Sequence, residues 1–289
     1  MLIWGINVPW MKLIIGSGDP LTLQGVRVFL AAVTIFLILK LTKQPLIVDK
    51  MPWKYILIGC FFGVICHHGF FAFGIDQTTA MKTAIISGLS PLFTAFVAVV
   101  FKDTVMTRTK LIGFLLGGLG VLISVVRDFT DLLEWAIGDI YIFLSFFLQA
   151  FSFIAIRRAT RVIAPMLVTG WMLLIGSSTL VIIALVIDPA NFVAFVEISP
   201  LLIIMFLLSA IVATGIGHTL YNLCIKNIGA AESAIFANFN TVFALIGSAL
   251  LLGEIITPQQ SIGCMFIILG VLIGTGNAEK LIKRKYSTS

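Results

Sequence analysis

Charged residues are scarce in this chain. Only 11% of its 289 residues are Asp, Glu, Lys or Arg, whereas an average soluble domain contains about 25%. The hydrophobic fraction is 60%, and the polar breaks between the apolar runs are short. Too little chain remains outside these runs for a soluble domain of ordinary size. We therefore predict an all-α membrane protein.

Motifs for nucleotide-driven and hydrolytic chemistry are also missing. The sequence has no Walker loop, no G-x-G-x-x-G between a strand and a helix, no H-E-x-x-H and no G-x-S-x-G. Its four cysteines form no C-x-x-C pair, and Cys66 beside His67 is weak evidence for a metal site. We predict free thiols, no metal, no cofactor and no ATP-driven pumping by this chain.

Acidic residues are absent from the middle of every apolar run. Proton-coupled pumps usually move protons through a buried carboxylate or a chain of histidines. A carboxylate-driven antiport mechanism is therefore disfavoured, and any proton coupling would have to use the three histidines. Asp139 and Glu232 lie at predicted helix starts, where we expect structural roles at the positive end of the helix dipole.

Ten apolar runs have lengths that suit membrane helices, which need about 20 residues each. The first is short and lacks the basic n-region of a signal peptide, so we interpret it as a permanent helix. The runs cover residues 1–16, 21–41, 53–75, 80–101, 109–126, 138–157, 165–187, 199–222, 232–252 and 258–276.

The distribution of basic residues predicts the orientation. With a cytoplasmic N-terminus, fifteen of the nineteen Lys and Arg fall in inner segments, so the positive-inside rule places both termini in the cytoplasm of a multi-pass cell-membrane protein. These residues are dispersed over several loops, which argues against nucleic-acid binding. The expected partners are the lipid bilayer and a small-molecule substrate, with a homodimer left open.

An internal repeat runs through the chain. At an offset of 150, residues 68–123 match the second half without gaps, and fourteen of the 56 pairs are identical. At an offset of 145, Pro20 matches Pro165. Five helices in each half give opposite orientations in the membrane, a hallmark of secondary transporters. We predict a first repeat at 1–126, an external connecting loop at 127–137, a second repeat at 138–276 and a basic cytoplasmic tail at 277–289.

Three stretches resemble a known family. "WGINVPWMK" in the first span, "LTLQGVRVFLAA" opening the second and "LLLGEIITPQQSIGCMFIILGVLI" across the ninth and tenth are similar to the EamA-like branch of the drug/metabolite transporter superfamily. The resemblance implies ten helices and an exporter or permease of small organic solutes with a central cavity. "FKDTVMT" in the first half departs from the more typical "LGEIIT" of the second half.

His68 and His218 are matched by the repeat, and each has an aromatic residue one turn later, Phe71 and Tyr221. From the predicted helix ends, each histidine lies roughly 6 to 11 Å inside its own interface. We expect the pair to bracket the site from opposite sides, lining the outer and inner halves of the pathway. The rings would hydrogen-bond the solute or carry protons; the alternative is a structural bond to a neighbouring helix.

Arg27 is the only basic residue well inside a span, and the sequence leaves three roles open: snorkelling to the interface, joining helices, or binding a substrate carboxylate.

We expect an apolar and aromatic cavity lined by Phe71, Phe73, Tyr221 and Trp171, suited to neutral or amphipathic solutes. The full set of candidate pathway residues is Trp4, Asn7, His68, Phe71, Ser87, Gln149, Trp171, His218, Tyr221, Asn222, Asn238 and Asn240.

The predicted function is secondary transport of small organic metabolites or amino-acid-like solutes by alternating access. Two other classes stay open: an intramembrane enzyme that uses the histidines as acid and base, and a passive channel. No nucleophile or metal cluster accompanies the histidines, which disfavours the enzyme. A channel would not account for two inverted halves.

Overall fold

The computed structural model describes residues 1–78, 80–125, 136–194, 199–252 and 256–274. These residues form helices and no strand, and they account for all ten predicted spans, so the predicted all-α fold is confirmed. Most of the connecting loop predicted at 127–137 and the whole tail at 277–289 lie outside the described residues. Within the described ranges, six helices are long and apolar enough to cross a membrane.

Ten helical stretches follow one another, and a single turn at Asn191–Ala194 lies between the seventh and the eighth. Their bounds are Leu2–Ile15 (α1), Pro20–Leu41 (α2), Trp53–Asp76 (α3), Ala80–Gly88 with Ser90–Val100 (α4), Arg108–Val125 (α5), Ile137–Thr160 (α6), Pro165–Ile187 (α7), Pro200–Ile228 (α8), Ala230–Ile235 with Phe236–Asn238 and Phe239–Leu252 (α9), and Pro258–Gly274 (α10).

Local signals explain several helix ends. Asp19 caps α2, because its carboxylate accepts a hydrogen bond from the Thr22 amide at 2.7 Å and Pro20 supplies the first helical residue. Ser199 and Pro200 start α8 in the same way. This helix runs to Ile228, past the predicted end at 222, and stops where Gly229 adopts a φ of +103°.

The repeat found in the sequence also relates the irregularities of the helices. α3 contains a π-helical segment, Phe61–Cys66, and α8 contains another, Ser209–Ile216. Their last residues are 150 positions apart, and His68 and His218 each follow two positions later. π-helical turns are rare and occur frequently at functional sites. The symmetry of the halves therefore extends to the backbone around both histidines.

Glycines allow the two halves to approach closely at matching places. A Cβ on Gly120 of α5 would lie 2.6 Å from the carbonyl oxygen of Gly263 in α10. α2 and α7 pack through another matched pair, since Gly25 lies against Val181 while Gly170 lies against Ile35 and Phe36. Small residues at such crossings are typical of membrane helix packing.

Ion pairs join the two halves at both ends of the bundle. At the end where α4 stops and α5 begins, here called the basic end, Arg157 pairs with Asp103 at 2.5 Å and Lys110 with Glu232 at 2.5 Å. At the opposite end, Lys82 pairs with Asp139 at 3.2 Å.

Asp139 also accepts hydrogen bonds from the Ala136 amide and the Thr78 hydroxyl. The structural role predicted for Asp139, at a helix start, is confirmed.

Candidate functional site

The middle of the bundle holds the two histidines that the repeat pairs. The ring centroids of His68 and His218 are 6.2 Å apart, so the expectation that they bracket the site from opposite sides is wrong. Residues related by a two-fold axis come close together when both lie near that axis, whatever their distance from the helix ends. α3 and α8 bring the rings to one place instead of to two halves of a pathway.

On the α3 side, the His68 ring belongs to a buried polar network. Its Nδ1 lies 2.7 Å from Nε2 of Gln24, and Oε1 of Gln24 accepts a bond from Nε of Arg27 at 3.2 Å. The Arg27 guanidinium also donates to the hydroxyls of Thr214 at 2.5 Å and Ser209 at 3.2 Å in α8. Arg27 is 5% exposed. It therefore joins α2 to α8 and does not snorkel.

On the α8 side, the surroundings of His218 are aromatic. The Trp4 ring lies 5.1 Å from the His218 ring and 5.2 Å from the Tyr221 ring. The Trp4 indole N–H donates to the Ala213 carbonyl at 2.7 Å, which fixes α1 against the π-helical segment of α8. Tyr221 also packs against Phe153.

A cavity of about 20 Å³ adjoins His218. This volume holds about one water and no organic solute. Three predicted pathway residues, Gln149, His218 and Asn222, line it. Its complete lining is Gly63, Val64, Gln149, Ser152, Phe153, Ile156, Thr169, Met172, Leu173, His218 and Asn222.

The predicted aromatic lining is not what surrounds this cavity, and Phe71, Phe73, Tyr221 and Trp171 all lie elsewhere. Phe71 packs against His67 and Phe146, and Phe73 is 42% exposed. The Trp171 ring packs against Trp53, and its indole N–H donates to the Leu46 carbonyl. Trp171 lies only two turns from the start of α7, so it occupies the basic end of the bundle.

Four other polar candidates also lie away from the cavity. Asn7 belongs to α1, and Asn240 belongs to α9, which packs tightly on α1: a Cβ on Gly5 would lie 2.8 Å from the Asn240 carbonyl oxygen. Asn238 is buried against Gly117 of α5. Ser87 is half-buried in α4, just before that helix breaks at Leu89.

His67 behaves as a packing residue. Its Nδ1 lies 2.7 Å from the Ser145 hydroxyl of α6, which itself donates to the His67 carbonyl at 2.9 Å. His67 therefore joins α3 to α6.

Several residues of the site escaped sequence reasoning. Gln24, Ser209 and Thr214 bind Arg27 or His68, and Thr169 and Met172 line the cavity. The repeat relates three of them to matching positions of the other half. At the offset of 145 that pairs Pro20 with Pro165, Gln24 matches Thr169 and Arg27 matches Met172.

Comparison with known proteins identifies the family. The sequence model of the EamA-like transporter family matches residues 1–126 and again residues 136–275. The chain belongs to the EamA-like transporter family. Other proteins resemble this EamA-like transporter over nearly their full length. A solved structure titled "Crystal structure of protein" has the same fold, with a TM-score of 0.78 and 14% identity over 97% of both chains.

Named relatives of this EamA-like protein include transporters from bacteria and archaea. The uncharacterized transporter YyaM of Bacillus subtilis is 28% identical, over 92% of this chain and 87% of its own. An uncharacterized transporter of Archaeoglobus fulgidus is 27% identical, over 94% and 82%. A probable amino-acid metabolite efflux pump of Salmonella typhimurium is 26% identical, over 94% and 91%.

Proposed function

We propose that this protein is a secondary transporter that moves small, amino-acid-like organic solutes across the cell membrane by alternating access around His68 and His218. The observation that carries the proposal is the meeting of these matched histidines, 6.2 Å apart, between the two inverted halves and beside a cavity. Two similar halves that exchange conformations about such a point can expose it to each side in turn.

The size of the cavity supports a mechanism that needs a conformational change. Sites for small organic ligands usually occupy about 300 to 1,000 Å³, far more than the 20 Å³ beside His218. Ion pairs also hold the halves together at both ends of the bundle. This arrangement suits an occluded state, in which one end must open before a solute enters.

Unpartnered polar atoms indicate the chemistry of the solute. Among the described residues, Nε2 of His68 and Oδ1 of Asn222 are buried without a hydrogen-bond partner. A buried polar group without a partner destabilises the protein, so a solute with both a donor and an acceptor would be stabilised here. Asn222 lines the cavity, whose wall is largely apolar, and His68 lies next to it, with its ring against that of His218. An amphipathic, amino-acid-like solute meets these requirements, and the Salmonella relative is named a probable amino-acid metabolite efflux pump.

The orientation proposed from the sequence places the basic end and both termini in the cytoplasm. Reporter fusions after residues 45, 105, 160 and 289 are then expected inside, and fusions after 19, 132 and 192 outside. An outside signal at 289 would contradict the two inverted halves of five helices.

Counterflow in proteoliposomes tests the transport function. Radiolabelled amino acids should show saturable counterflow. His68→Ala and His218→Ala should each reduce its rate at least about tenfold. His67→Ala is the matched control, because the His67 ring is bound to Ser145. Unsaturable flux would indicate a channel, and chemical conversion of the solute would indicate an enzyme. Full activity in the first two variants would show that the histidines only pack.

A further inference from the structure

The donors and acceptors around Gln24 determine how the His68 ring is protonated. An arginine side chain only donates hydrogen bonds, so the atom of Gln24 that faces Nε of Arg27 must be the amide oxygen. The amide nitrogen of Gln24 then faces the His68 ring at 2.7 Å, and this nitrogen also only donates. Nδ1 of His68 must therefore accept, and the proton of the neutral ring lies on Nε2.

The neighbouring ring has the opposite arrangement. Nδ1 of His67 lies 3.2 Å from the Ser145 carbonyl oxygen, which only accepts, and 2.7 Å from the Ser145 hydroxyl. Nδ1 of His67 therefore carries the proton. Two adjacent histidines on one helix thus hold different tautomers, and only His68 presents its Nε2–H without a partner among the described residues.

The charge of Arg27 has no counterion in the described part of the chain. No Asp or Glu oxygen there lies within 4.0 Å of its guanidinium, and the ion pairs lie at the ends of the bundle. A buried cation that only hydroxyls and an amide solvate is stabilised further by an anion. The His68 donor and this charge therefore favour the same kind of ligand group.

We propose that Arg27, acting through Gln24, holds His68 as a hydrogen-bond donor, and that this donor and the uncompensated Arg27 charge make the site selective for solutes with a single carboxylate. The inference rests on the proposed transport function and names its substrate class. Arg27 and Gln24 are positioning residues, and Nε2 of His68 is the group that touches the carboxylate. A second proton, on Nδ1, would break the hydrogen bond from Gln24. We therefore favour a His68 that hydrogen-bonds the solute over a His68 that carries protons.

The tautomers can be measured without a substrate. Nitrogen-15 NMR of the full chain in lipid, with the three histidines assigned by single variants, should find the proton on Nε2 in His68 and on Nδ1 in His67. Gln24→Glu offers acceptors to both neighbours, so it should move a proton to Nδ1 of His68 and leave His67 unchanged. The inference is overturned if His68 carries its proton on Nδ1 in the wild type, or if Gln24→Glu leaves the His68 proton on Nε2.

Counterflow of matched compounds tests the selectivity. L-leucine and L-phenylalanine should compete at least about tenfold better than leucinamide and phenylalaninamide, and Gln24→Glu should remove this preference because it neutralises Arg27. Equal competition by acids and amides overturns the inference but leaves transport standing. If neither the acids nor the amides show counterflow, the proposed transport function and the carboxylate selectivity are both overturned. The NMR measurement of the tautomers does not depend on that result.

Discussion

The contact of α2 with α8 and the contact of α7 with α3 occupy matching places in the two halves but have different chemistry. In the first, Arg27 donates to Ser209 and Thr214. In the second, the corresponding residues are Met172, Gly59 and Val64. The Met172 thioether packs against Gly59, where a Cβ would lie 2.9 Å from it, and the cavity opens beside it.

This difference shows that the halves share a scaffold but not a site. Matched glycines and π-helical segments preserve the backbone packing on both sides. The buried cation lies on the first side, and the cavity beside His218 lies on the second. A solute between the halves would therefore meet an asymmetric environment, which orients it.

The largest effect is expected when the cation is placed in the wrong half. Met172→Arg would put a guanidinium beside Gly59 and Val64, which offer no side-chain acceptor at the places of Ser209 and Thr214. A charged residue in a membrane helix costs about 2.5 to 3.5 kcal/mol. Thermal unfolding of the purified protein should show this loss, whereas Met172→Leu, which conserves volume, should change stability by less than about 1.5 kcal/mol. Equal stability of both variants would contradict the comparison.

The shared scaffold should be nearly as sensitive. In Gly120→Ala, the new Cβ would meet the Gly263 carbonyl oxygen at 2.6 Å and the Ile267 amide nitrogen at 2.7 Å, so α5 and α10 must separate. Overpacking of this kind destabilises by about 1 to 3 kcal/mol. Gly118→Ala is the control two residues away, because its Cβ would find only Leu92 at 3.8 Å. Similar melting temperatures for the two variants would disprove close packing.

Making the first half resemble the second should affect transport more than folding. Arg27→Met removes the buried charge and frees Gln24 to rotate, so counterflow of amino acids should fall about tenfold, equivalent to about 1.4 kcal/mol. Removing an uncompensated buried charge can be neutral for stability. If this variant still prefers acids to amides as strongly as the wild type does, Arg27 does not contribute to substrate selectivity.

The smallest effects concern the ion pairs at the two ends. A double-mutant cycle of Lys110→Met with Glu232→Gln should give a coupling of about 0.2 to 1 kcal/mol, because both side chains are about a quarter exposed. The Lys82 and Asp139 pair is less exposed, 12% and 6%, so its cycle should give the larger coupling and weaken less with salt. The reverse order would contradict the burial argument.

Much of the site could not be predicted because its residues are distant in sequence. Arg27 and Thr214 are 187 positions apart, and His67 and Ser145 are 78 apart. The repeat identified His68 and His218 as partners, but helix ends alone suggested that they lie far from one another. The predicted aromatic lining of the cavity was wrong because aromatic side chains such as Trp171 and Phe73 suit a membrane interface or a lipid-facing surface as well as a cavity.

By itself, the sequence determined the number of helices, their approximate ends and the relation between the two halves. These properties follow from the length of apolar runs and from the recurrence of residues at fixed offsets. Only the tertiary structure decided which side of each helix faces its neighbours. Lipid is as apolar as a helix interface, so hydrophobic periodicity carries little information here. The network of Arg27, Gln24 and His68 exists only where α2, α3 and α8 meet.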